Sequence, residues 1–241
     1  MASRDSGEIE IMGLGYRIAH LVNLILFISL MVSGFMLYSI ETVSWFAYGI
    51  GQPLTTLNSG TDPVTAGVQW ARTWHRVVGF AWGAFILAYA LYILLFHRQL
   101  HVFDGLRKPL GDQIREAKAV VRHYILGEPI PEDVREKMGR HNVLVGYLAI
   151  LILVSVLLLS VSGVLLVYAE AWGLSLSTVR LLLLLHDVGF ALALLFVLLH
   201  TFAVLLPHNR PLLVAMFSHG RVPLGWAREH MPGYLRRLAG R

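Results

Sequence analysis

Eleven histidines and no cysteine make up the metal-binding inventory of this 241-residue chain. Without a thiol there are no disulfides, no thiolate-ligated iron–sulfur clusters and no haem attached through C-x-x-C-H, so a metal centre must be held by imidazole. Four histidines fall within or at the edge of apolar runs: His20, His75, His186 and His200. Their depths match in pairs. His20 lies just inside one end of the first run and His200 a similar distance from the end of the last. His75 opens the second run and His186 lies near the opposite end of the last. The stretch "HDVGFALALLFVLLH" carries two of them, at positions 186 and 200. On an α-helix fourteen residues rise about 21 Å and fall roughly 40° short of four turns, so both rings leave nearly the same face. That arrangement suits two haems stacked across a bilayer, each iron taking one axial imidazole from the last helix and one from an earlier helix. A lone histidine in an apolar helix often does no more than bond a neighbouring carbonyl. Four at paired depths favour ligation, with an outer couple His75/His186 and an inner couple His20/His200.

The neighbours of these histidines fit the same chemistry. Gly79 and Gly83 follow His75 by four and eight residues and Gly189 follows His186 by three, which leaves room for a porphyrin, although close helix packing explains such glycines as well. Arg76 is a candidate partner for a haem propionate, and Asp187 for orienting an imidazole, unless each is simply an interfacial charge.

The elements that must position them are transmembrane helices. The chain is 56% hydrophobic and only 15% charged, with a mean hydropathy of +0.63, far from the balance of a soluble domain. The stretches 18–40, 77–96, 143–169 and 188–207 lack Asp, Glu, Lys and Arg, and each can cross a hydrocarbon core. The expectation is an all-α integral membrane protein, a four-transmembrane-helix bundle forming a single domain over 1–241. Helices are expected near 14–40, 74–97, 142–169 and 180–206, with a cytoplasmic loop 98–141 and a tail 207–241. The acidic, polar start "MASRDSGEIE" and the long first apolar run do not read as a cleaved signal peptide.

Charge sets the orientation. Residues 98–140 hold nine Lys/Arg and the tail after Pro207 holds six Arg, while segments 41–72 and 170–179 hold only Arg72. The positive-inside rule then places both termini and the middle loop in the cytoplasm of a plasma (inner) membrane. The basic balance reflects topology and anionic lipid, and no aromatic-interleaved basic motif suggests nucleic acid.

Trp45, Phe46, Trp70 and Trp74 flank the outer loop as an interfacial belt would, around a Gly/Pro/Thr/Asn centre that reads as irregular structure and a partner surface. In the inner loop, "GDQIREAKAVVRHYILG" reads as a short amphipathic helix with Ile114, Ala117, Val121 and Ile125 on one face and Asp112 as N-cap, lying on the membrane or under the bundle. Pro129 and Pro131 then break the helix. His97, His101, His123, His208, His219 and His230 fall in or beside basic segments and read as solvated or headgroup-contacting; the i, i+4 pair His97/His101 has no third ligand in sequence.

Taken together, these four spans and four histidines resemble the di-haem cytochrome b (gamma) subunit of membrane-bound formate dehydrogenase, within the wider hydrogenase and molybdoenzyme cytochrome b family. The resemblance covers nearly the whole chain. "GRHNVLVGY" is similar to that family's aromatic-Asn-Ala-Gly-Gln-Lys segment, and "AMFSHGRVPLGWAREHMP" to its G-x-V-x-x-x-W-A-x-x-H-H-P ending. His141, Leu144 and Val145 depart from the first pattern and Met231 from the second. The resemblance implies two haem b groups on His20, His75, His186 and His200. It implies Asn142 as a contact to a quinone, menaquinone or ubiquinone, near the inner haem. It further implies an iron–sulfur subunit and a molybdenum or tungsten catalytic subunit as partners in a complex open to higher oligomers. Electrons would pass from formate oxidation at the outer face to quinone near the cytoplasm, with no formate site on this chain.

One alternative of the same class and two of other classes compete. A cytochrome b subunit of a nickel–iron hydrogenase or thiosulfate-type reductase differs only in its catalytic partner. A stand-alone quinone-linked cytochrome b acting on a small oxidant would need less loop and tail surface. A haem-free transporter would be expected to show broken helices or an inverted repeat instead.

Overall fold

The computed structural model describes residues 7–38, 40–55, 60–96 and 101–239. Four helices are long and apolar enough to cross a membrane: α1 Leu14–Tyr38, α3 Pro63–Phe96, α6 Val143–Val167 and α7 Leu176–Leu205. Between α1 and α3 runs α2, Ile40–Thr55. The basic segment between α3 and α6 holds α4, Leu110–Leu126, and a single turn, α5, Glu132–Arg135. After α7 come α8 Arg210–Phe217, α9 Leu224–His230 and α10 Pro232–Ala239. The only strands among the described residues are β1 Glu8–Glu10 and β2 Arg221–Pro223. The fold is the all-α, four-span membrane class expected from the sequence. Contacts divide the chain into two compact units, one of residues 1–17, 97–159 and 184–241, the other of 18–96 and 160–183.

In the second unit the outer segment departs from expectation. It is helical, not irregular, over Ile40–Thr55, and α3 starts at Pro63 rather than near position 74. Close backbone approach explains this. A Cβ on Gly51 would stand 1.7 Å from the Pro63 carbonyl oxygen and one on Gly67 1.9 Å from that of Ala47, so α2 and α3 meet where only glycine fits. Met36, Ala47 and Ala71 form the buried core beneath this hairpin. Pro53 lies inside α2, and a non-helical residue, Val43, kinks it near its start. Residues 56–59, part of the expected irregular centre, lie outside the described residues. The aromatics stay peripheral: Trp45 is exposed, and Trp70 and Trp74 stack at 5.5 Å.

In the first unit both ends of the chain are tied together. β1 pairs antiparallel with β2, Ile9 opposite Val222. The N–H groups of Ile11 and Met12 both donate to the Gly220 carbonyl, at 2.9 and 3.0 Å. Gly220 has φ 77° and approaches Met12 so closely that a Cβ would sit 2.1 Å from its carbonyl oxygen. Arg17 donates to the carbonyls of Met216 and Ser218. Ile11, Ala215, Val222, Ala227 and Met231 close over this junction as a small core. The N-terminal segment and the tail are therefore held against each other.

Helix α4 forms where the amphipathic helix was expected, but its buried face is Glu116, Val120 and His123. Ile114, Val121 and Ile125 point outward, an apolar stripe suited to a lipid surface. Asp112 does not cap it; the N-cap position is Pro109. Glu116, 2% exposed, accepts the Val143 N–H at 2.8 Å and pairs with Lys108. A carboxylate is thus placed on the N-terminus of α6, where its exposed N–H groups and helix dipole favour negative charge.

Candidate functional site

His75 lies on the stripe of α3 that turns inward, in register with the buried Gly67, Ala71, Val78 and Trp82. The facing side of α1 buries Phe27, Ser33 and Met36. Ser33 Oγ stands 2.9 Å from His75 Nδ1 and also 2.8 Å from the Ser29 carbonyl. A hydroxyl has one proton. With that proton on the Ser29 carbonyl, Ser33 oxygen accepts from His75 Nδ1–H, and the imidazole carries its lone pair on Nε2, the atom an iron needs. Gly34 makes room for the ring, since a Cβ there would lie 3.3 Å from His75 Cε1. Two further hydrogen bonds fix α1 against α3: Trp74 Nε1 to Ser29 Oγ at 2.8 Å and Trp82 Nε1 to Asn23 Oδ1 at 2.9 Å. His20 is half-buried on α1, three residues before Asn23. A Cβ on Gly83 would meet nothing within 4 Å, whereas one on Gly79 would touch Leu30 at 3.8 Å. Arg76 is exposed beside His75.

His186 and His200 both belong to α7. The Phe196 ring stacks on that of His200, centroids 5.3 Å apart and planes 10° from parallel, which holds the imidazole plane. His186 stands against the backbone of Leu159, and Asp187 beside it is exposed. For Gly189, packing rather than room for a porphyrin is what the structure shows. A Cβ there would come within 3.0 Å of Leu159 and 3.1 Å of Leu158, and Ser155 Oγ donates to the Gly189 carbonyl at 2.8 Å.

Asn142 caps α6: its Oδ1 accepts the Val145 N–H at 3.2 Å. The cap engages the carbonyl end of the amide, so the NH2 is the end better placed to meet a ligand. The preceding His141 has its pKa pushed down to about 4, first by burial and then by the Arg140 and His101 charges.

Three of the six histidines read as solvated prove otherwise. His123 is 8% exposed. Its ring lies 4.6 Å from that of His208 and 6.1 Å from that of His230. The three come from α4, the turn after α7, and α9, segments too distant in sequence for spacing to reveal. His101 instead pairs with Asp104 at 3.1 Å, and His219 Nδ1 accepts the Arg221 N–H. His97 lies outside the described residues, and with it the His97/His101 pair.

Four apolar spans carrying partly buried histidines, one of them bonded to a serine hydroxyl, describe a membrane protein whose imidazoles are of the type that ligates haem iron. A family model described as prokaryotic cytochrome b561 matches residues 11–219, and the chain belongs to that haem b-binding family of membrane electron carriers. A comparison with curated proteins gave no match. The tail that resembles the formate dehydrogenase ending lies mostly beyond the matched residues.

Proposed function

We propose that this cytochrome b is a di-haem membrane subunit that carries electrons from an iron–sulfur and molybdenum or tungsten formate dehydrogenase at the outer face to a quinone near the cytoplasm. The observation that supports the reading is the Ser33 Oγ–His75 Nδ1 contact of 2.9 Å, which suits a ligating imidazole, beside four histidines that the sequence spaces in two pairs along the spans. His75 and His186 would hold the outer haem, His20 and His200 the inner one. Each haem, when bound, supplies a one-electron iron couple, and two at different depths make a path across the hydrocarbon.

The protein's own groups do the rest. Ser33 and Phe196 hold ring orientations, Arg76 would pair with a propionate, and the Asn142 amide N–H would donate to a quinone carbonyl. Formate oxidation at the partner yields two electrons, carbon dioxide and one proton. Quinone reduction takes up two electrons and two protons, and drawing them from the cytoplasm charges the membrane. The positive-inside bias of loop 98–140 and the tail supports that sidedness.

The choice of formate rests on the tail. A hydrogenase-type cytochrome b is the second reading, because the family match is equally compatible with it. Membranes containing the whole complex separate the two: formate should reduce the b haems and quinone should reoxidise them. Reduction by hydrogen and not by formate would assign the hydrogenase reading, and reduction by neither would overturn both. His186→Ala should abolish mainly the outer redox transition and His200→Ala mainly the inner. Two unchanged transitions in His186→Ala would refute the pairing.

A further inference from the structure

The cluster of His123, His208 and His230 is not explained by electron transfer, and its chemistry is specific. His123 Nδ1 lies 2.8 Å from the Glu128 carbonyl oxygen and His230 Nδ1 3.0 Å from that of Trp226. A carbonyl only accepts, so each of these nitrogens carries a proton and each neutral ring has its lone pair on Nε2. His123 Nε2, His230 Nε2 and His208 Nδ1 are all buried without a hydrogen-bond partner. Buried polar nitrogens left without partners destabilise a fold unless something satisfies them.

An imidazole whose Nδ1–H is bonded to a carbonyl while Nε2 is presented elsewhere is the arrangement of metal-ligating histidines. The spacing fits too. With Zn–N near 2.0–2.1 Å, two imidazoles on one tetrahedral ion have ring centroids about 5 Å apart, and the observed separations from His123 are 4.6 and 6.1 Å. As they stand, no three such side chains among the described residues are close enough to hold an ion. Bringing His230 about 1 Å nearer His123 would give that pair the same spacing. The surroundings are otherwise fixed. Trp226 stacks on His230 at 4.4 Å and donates its Nε1–H to the His208 carbonyl at 2.7 Å. Tyr124 donates to Asn209, whose amide donates to the Ala203 carbonyl.

We infer that His123, His208 and His230 bind a divalent first-row transition ion, of which Zn2+ is the natural probe, clasping α4, the end of α7 and the tail helix α9 together. An all-imidazole set suits zinc, copper or nickel and not magnesium or calcium, and three ligands leave a fourth position for water. The site uses none of the four haem-ligand candidates and does not depend on which enzyme the cytochrome serves.

The test uses full-length haem-loaded protein in detergent, purified without a polyhistidine tag, stripped with a chelator and titrated with Zn2+. The expected result is one zinc per chain that resists gel filtration, with a zinc K-edge absorption spectrum showing about three imidazoles. His123→Gln and His230→Gln should each weaken binding by at least tenfold while leaving the haem spectrum unchanged, and His219→Gln should leave binding unaltered. If a variant fails to fold, the wild-type spectrum still decides. Oxygen-dominated coordination, no retained zinc, or equal retention in a folded His123→Gln/His230→Gln double variant would overturn the site.

Discussion

Replacing Ser33 by alanine tests the outer half of the haem site without touching a ligand. Ser33 is 3% exposed, and its oxygen lies 2.9 Å from His75 Nδ1. Alanine removes that acceptor from a donor in low-dielectric surroundings, a loss of about 1–3 kcal/mol. Partners of this kind on ligating histidines are worth roughly 10–100-fold in metal affinity or activity, so Ser33→Ala should bind the outer haem more weakly by that order. The redox effect has a defined sign. An imidazole that donates from Nδ1 is a more electron-rich ligand and favours ferric iron, so losing the acceptor raises the potential. If about 1 kcal/mol of the loss falls on the ferric state, the rise is about 40 mV, since 59 mV corresponds to about 1.4 kcal/mol for one electron. Optical redox titration of the purified protein reads this directly, with the inner transition as internal reference and Ser33→Thr, which keeps the hydroxyl, as the rescue. An unchanged outer potential with full haem content in Ser33→Ala would refute the tautomer argument. So would equal shifts of both haems.

Further predictions follow from the packing, the cap and one histidine. Gly67→Ala forces a Cβ to 1.9 Å from the Ala47 carbonyl and should destabilise by about 1–3 kcal/mol or more, read as a lower Tm, whereas Gly83→Ala meets nothing within 4 Å and should leave the fold's Tm unchanged. His141 has a folded pKa of about 4 against an ordinary value near 6.5, so below pH 6.5 the unfolded chain takes up its proton first. Stability is full above pH 6.5 and falls towards pH 4 by at most about 3 kcal/mol, and His141→Asn should flatten that part of the profile in pH-dependent thermal unfolding. Asn142→Asp keeps the cap to Val145 but removes the NH2 donor. It should slow haem reoxidation by quinone with both haem spectra intact, and normal reoxidation would leave Asn142 a capping residue only.

The four spans are legible in the sequence because they follow a local rule, charge-free length. Helix boundaries slipped where tertiary contact overrode composition. The segment after position 40 looked irregular for its Gly, Pro and Thr, yet Gly51 and Gly67 are the residues that let α2 lie against α3. The stripe of α4 was found, but not that Glu116 and His123, polar residues opposite to it, form the buried face. Gly189, weighed as space for a porphyrin, is a contact with Leu158 and Leu159. Ser33 and Gly34, which complete the surroundings of His75, were missed although "SG" stands within the first span, since nothing local marks a serine as partner to a residue 42 positions on. The His123, His208 and His230 group was invisible for the same reason, its members depending on how the loop, the end of α7 and the tail fold together.

The central claim is that His20, His75, His186 and His200 hold two haems rather than one. Pyridine haemochrome analysis of the purified chain, set against quantitative amino-acid analysis, measures this directly. Two haem b per chain, falling to one in both His75→Ala and His200→Ala, is the predicted result. A single haem in the wild-type protein, or two haems retained in either variant, would contradict it.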